Sequence, residues 1–133
     1  MSNRALIEKI YDAFGKGDVP TVLNAFDPKI EWSEAEGNPY EMSGKAWVGG
    51  EAVTQNLFVR LAEEWDGFTV TPRTYHDAGD SVVVEGRYTG KHKSTGKSID
   101  MQFCHVWTLS GGKATRFQQY CDTAQFQDAM GSR

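Results

Sequence analysis

The stretch 98–109, SIDMQFCHVWTL, alternates along its whole length, and its reading decides the fold. One face carries Ile99, Met101, Phe103, His105, Trp107 and Leu109, and the other Asp100, Gln102, Cys104, Val106 and Thr108. A period of two puts successive side chains on opposite faces of a strand, so this is a sheet segment with one apolar, inward face. Residues 68–75, 81–88 and 114–121 read the same way. Turn chemistry separates the four, at Asp77-Ala78-Gly79-Asp80, across 90–96 and at Ser110-Gly111-Gly112. The inward set then gains Val82, Val84, Gly86 and Tyr88 from one neighbour and Phe117, Gln119 and Cys121 from the other.

Upstream the period changes to that of helices. Leu6, Ile7, Ile10, Ala13 and Phe14 recur at helical spacing after Ser2 or Asn3 as a cap, and glycines at 15 and 17 end the run. Asp18 caps a second short helix with Pro20 in its first turn, which Asp27-Pro28 stops. A short strand at 30–33 follows. After Gly49-Gly50 comes a longer helix with Val53, Leu57, Phe58, Leu61, Ala62 and Trp65 as its stripe. Asp122 opens a final short helix, with Gln125 as capping-box partner. Helices followed by an antiparallel meander predict an α+β domain spanning 1–133. Its curved antiparallel sheet wraps around three helices as a cone with a deep apolar pocket at its mouth.

Size and charge bound the partners. A chain of 133 residues suits one domain, with a folded surface of roughly 7,000 Å². The 14 Lys+Arg against 18 Asp+Glu leave a net charge of −4, which repels phosphates, so no nucleic-acid partner is expected. No apolar run approaches the roughly 20 residues of a spanning helix, so no membrane partner is expected either. Met1-Ser2-Asn3-Arg4 leads into a charged amphipathic segment rather than a signal peptide, which predicts a cytoplasmic protein. Cys104 and Cys121 fit no zinc spacing, and the glycines form no dinucleotide or phosphate-binding loop. No metal and no cofactor are expected.

The candidate site lies on the inward face. His105 is the one ionisable group in its row of large apolar side chains. It reads either as a satisfied core histidine or as an acid/base, since an imidazole titrates near neutrality. Glu34 opens the loop after the 30–33 strand; it reads either as one of three solvated acids, with Glu31 and Glu36, or as a general base held against Trp32. Tyr88 and Gln119 are placed to hydrogen-bond a substrate oxygen, with Trp32, Phe103, Trp107 and Phe117 as the apolar wall of a small-molecule pocket. Lys91-His92-Lys93 reads as a solvated basic turn, and His76 as exposed. The outward face mixes Val83, Val106 and Tyr120 with polar groups. It reads as a homodimer interface or as a solvated surface.

Several landmarks resemble one superfamily: the Gly17-Asp18 turn, the Trp32 strand, Gly49-Gly50-Glu51-Ala52-Val53 before a long helix, and the run 105–113 leading into 117–123. Together they resemble the nuclear transport factor 2-like superfamily, in its SnoaL-like and ketosteroid-isomerase-like branch, over nearly the whole chain. The resemblance implies an isomerase or polyketide cyclase that transfers protons on an apolar carbonyl compound, or a non-catalytic binding protein using the same pocket. Ketosteroid isomerases place an aspartate base three residues before a Gly-x-Pro, and here Glu34 stands three before Gly37-Asn38-Pro39. Their protonated oxyanion-donating aspartate falls on His105. Their first-helix tyrosine falls on Ile10, with Tyr11 one residue on and expected to face elsewhere. The charged triad of limonene-type epoxide hydrolases falls on Gly86, Tyr88 and Gln119, so that reaction is not implied.

Overall fold

The computed structural model describes residues 1–131, so the last two positions of the domain expected over 1–133 lie outside the described residues. Helix α1 (Asn3–Gly15) starts at Ser2, whose hydroxyl accepts from the Ala5 amide, and α2 (Val19–Asn24) starts at Asp18, which accepts from Thr21. Strand β1 (Phe26–Ser33) and the short β2 (Trp47–Val48) come next. The third helical pattern divides into α3 (Gly50–Val53), a π-helical turn (Thr54–Phe58) and α4 (Val59–Glu64). The meander is β3 (Trp65–Ala78), β4 (Ser81–His92), β5 (Ser98–Ser110) and β6 (Lys113–Cys121), closed by α5 (Thr123–Met130).

The strands make one curved sheet in the order β2-β1-β6-β5-β4-β3. Alternation assigns the faces correctly: Ile99, Met101, Phe103, His105, Trp107 and Leu109 of β5 are all buried, while Asp100 and Gln102 are exposed. The β5–β6 turn has Gly111 at φ 58° and Gly112 at φ 77°. Two successive positive φ values match the right-handed twist of a tight hairpin and are cheap only for glycine. The exposed surface is 6925 Å², near the size-scaling value for one domain of this mass.

Four expectations need correction. The sheet is not wholly antiparallel, because β1 runs parallel to β6 with Trp32 beside Phe117. The whole meander separates those two strands, so no hairpin turn dictates their direction. Strand β3 exceeds 68–75 at both ends, since register shifts at Asp66/Thr69 and Pro72/Thr74 break the alternation and bend the strand. Trp65 does not end the helical stripe: it is extended (φ −123°, ψ 144°), opens β3 and donates its indole N–H to Tyr40 Oη at 3.0 Å. Finally, His92 is no solvated turn residue. It is buried at the end of β4, edge-on to the Trp65 ring at 4.9 Å. His76 is exposed, as expected, and lies 2.6 Å from Glu85.

Candidate active site

Register brings the site together. Across the inward face, His105 pairs with Val84 on one side and Gln119 on the other, and Trp107 pairs with Val82 and Phe117. Trp32 then stacks on Phe117 at 3.7 Å between ring centres. Helices α1, α2, the π turn and α4 cover this face and leave a cavity of about 60 Å³. Trp32, Glu34, Tyr88, Trp107, Phe117 and Gln119 line it together with His105. Phe103 is not among the residues that border the cavity: its ring stacks on His105 at 4.0 Å. Gly86 makes that stacking possible, because a Cβ there would fall 2.5 Å from the Phe103 ring.

Glu34 and His105 share the cavity wall but are held by different partners. Glu34 follows Trp32 by two residues past the end of β1, so the strand's parity turns both inward, and the Trp32 indole N–H donates to Glu34 Oε2 at 3.1 Å. Burial raises the Glu34 carboxyl from 4.5 to about 8, with the Trp32 bond opposing part of the rise. Glu34 also borders an outer groove of about 470 Å³ between the 34–45 loop and β6. His105 is pressed the other way: burial lowers it from 6.5 to about 3, so its ring is neutral at physiological pH.

The ring is gripped on both nitrogens. Tyr11 Oη lies 2.6 Å from Nδ1, and Tyr88 Oη bonds Nε2. This overturns the expectation that Tyr11 faces elsewhere. Tyr11 follows the buried Ile7 by four residues and precedes Phe14 by three, so it belongs to the helix's inward stripe beside Ile10. That spacing is in the sequence and is the signal that finds Tyr11. Trp107 Nε1 donates to Tyr11 Oη at 2.9 Å, and Gln119 Nε2 to Tyr88 Oη at 2.9 Å. Gln119 Oε1 accepts from Asn38 Nδ2 at 2.7 Å and from the Ala35 amide at 3.2 Å. Asn38 is a buried loop amide that no periodicity marks, and it fastens the 34–45 loop to the sheet. Burial also raises both tyrosines well above their ordinary values.

The arrangement brings a buried carboxyl whose titration is raised to about 8 and a neutral, tyrosine-bound imidazole into the lining of one largely aromatic cavity. Such a site can hold a carbonyl oxygen and exchange a proton beside it. Among the described residues, no group of three or more His, Cys, Asp or Glu is placed to hold a metal ion, and no helix is long and apolar enough to cross a membrane.

Comparison with known proteins follows the same lines. Residues 7–117 match the family described as SnoaL-like domain. A nuclear transport factor 2-like protein from Burkholderia thailandensis E264 is 35% identical over 98% of each chain, with a TM-score of 0.92. TerC, crystallised with polyporic acid, is 27% identical over 96% of this chain and 97% of its own, with a TM-score of 0.83. A candidate SnoaL-like polyketide cyclase from Jannaschia sp. CCS1 shares the fold at 18% identity, covering 100% of this chain and 97% of its own at a TM-score of 0.82. No curated protein matches.

Proposed function

The chain belongs to the SnoaL-like domain family, and on that premise we propose that it is an enzyme that moves a proton beside the carbonyl group of a small apolar compound, isomerising or cyclising it. The observation that carries this reading is Glu34, a buried carboxyl with a single N–H donor, on a cavity wall shared with a tyrosine-bound histidine. Glu34 takes the proton alpha to the carbonyl, and of the two tyrosine hydroxyls held by His105 the one not donating to the ring steadies the enolate oxygen. His105 stays neutral and orients those hydroxyls, so it supports the reaction without titrating near neutrality. The co-crystallisation of TerC with polyporic acid supports a small organic molecule as the ligand class. A cavity of about 60 Å³ is below the roughly 300–1,000 Å³ of drug-sized pockets. Substrates of few heavy atoms are therefore favoured, and larger ones need movement of the partly exposed Phe14 at the wall.

The kinetic test is Glu34→Gln, which keeps the shape and the bond to Trp32 while removing the base. Losing a general base costs about 10²–10⁴-fold in rate. In the parent enzyme kcat/KM should rise with pH through about 8, as Glu34 ionises. Equal turnover by parent and variant would remove Glu34 from the chemistry. A second reading, a binding protein for a neutral ligand with acceptor oxygens, is favoured by one observation: at pH 7 the Glu34 carboxyl is largely protonated and the His105 ring neutral. Tight binding of a carbonyl compound with no conversion by the parent would select it.

A further inference from the structure

Hydrogen-bond directions around His105 are fixed from both ends. An indole N–H only donates, so Tyr11 Oη accepts from Trp107. A backbone N–H only donates, so the Gln119 atom facing the Ala35 amide is its carbonyl oxygen, and the Gln119 NH2 faces Tyr88 Oη. Each phenol oxygen thus already accepts one bond from outside the ring. Two bonds remain, Tyr11 to Nδ1 and Tyr88 to Nε2. A neutral imidazole brings one N–H and the phenols one O–H each, so three protons serve two bonds. One hydroxyl proton is left over. It belongs to Tyr11 when the ring is protonated on Nδ1 and to Tyr88 when it is protonated on Nε2, and both tyrosines line the cavity.

We propose that Tyr11, His105 and Tyr88 form a neutral proton relay that tautomerises a small enolisable dicarbonyl compound, delivering a proton at one phenol while taking one up at the other. The relay rests on the preceding reading only in that a carbonyl compound reacts in this cavity; it is a neutral route for the enol, separate from proton removal by Glu34. With the ring protonated on Nδ1, Tyr11 gives its hydroxyl proton to the enol carbon and takes the Nδ1 proton. Nε2 takes the hydroxyl proton of Tyr88, and Tyr88 takes the proton of the enol O–H. A substrate C–H bond forms, an O–H bond breaks, the enol becomes the ketone, and no charge is made. After product leaves, water entering the cavity takes the surplus proton from Tyr88 and returns one to Tyr11, which resets the ring. Burial disfavours imidazolium and both phenolates, so a concerted transfer is the path that creates no buried ion.

Nitrogen NMR of protein labelled with ¹⁵N-histidine reads the tautomer directly. Removing one phenol leaves its ring nitrogen without a partner, and a bare lone pair is cheaper to bury than an orphaned N–H. Tyr11→Phe should therefore hold His105 as the Nε2–H form and Tyr88→Phe as the Nδ1–H form, while the parent shows averaged signals. The enol of 2,4-pentanedione should ketonise at least about 10-fold faster with the parent than with either Phe variant, one such factor being about 1.4 kcal/mol. The same tautomer in both variants, or ketonisation that survives both, overturns the relay. Ketonisation lost only in Glu34→Gln keeps the carbonyl reading and overturns the relay. No ketonisation by the parent overturns the tautomerisation step, whatever the tautomers do. If Tyr88→Phe does not fold, parent and Tyr11→Phe still decide, because the relay requires their tautomers to differ.

Discussion

Glu34 and His105 are pushed toward their neutral forms from opposite sides, and their effects on stability oppose each other. Glu34 titrates at about 8 when folded against 4.5 ordinarily, so between those values the folded state holds the extra proton and stability falls as pH rises. His105 titrates at about 3 against 6.5 ordinarily, so between those values the unfolded state holds the extra proton and stability rises with pH. The two slopes cancel between 4.5 and 6.5 and leave only the Glu34 slope above 6.5. At about 1.4 kcal/mol per pH unit, the parent should lose about 2 kcal/mol relative to Glu34→Gln between pH 6.5 and 8. Urea unfolding of both proteins at the two pH values checks this. A constant difference would mean that Glu34 is ionised in the folded protein.

At the scale of elements, strand parity made most of the site legible. Residue 32 on one strand, and 103, 105 and 107 on another, turn inward by alternation alone, while Glu34 lies in the loop one residue past the end of β1. Register between strands set further apart in the chain is a tertiary outcome. The parallel β1–β6 seam that stacks Trp32 on Phe117 has no local signature, nor does the loop amide of Asn38 that orients Gln119. Tyr11 differs, because its spacing from Ile7 carried the information and only the comparison with Ile10 obscured it. Gly86 in β4 is where element geometry is tightest: a Cβ would sit 2.3 Å from the Thr71 carbonyl oxygen as well as against Phe103. Gly86→Ala should destabilise the fold by about 2–3 kcal/mol, within the range for overpacking a close-packed site. A urea midpoint unchanged from the parent's would show that the sheet yields there at no cost.

For the whole molecule, the curved sheet buries one face around the cavity and leaves the other open. On that outer face Tyr120 is 55% exposed beside the half-buried Val83, Cys104 and Val106. We propose that two copies pair through it as a homodimer, an isologous contact being the commonest closed arrangement. Sedimentation should then give a dimer for the parent and a monomer for Tyr120→Glu, whereas a monomeric parent would end that proposal. The central claim concerns the other face, where one cavity holds a protonated carboxyl and a neutral, doubly bonded imidazole. Carbon and nitrogen NMR titration of Glu34 and His105 in the same sample tests it most directly. The account requires a Glu34 midpoint near 8 and a His105 ring that stays neutral down to about pH 4, above its value of about 3. Midpoints near the ordinary 4.5 and 6.5 would contradict it.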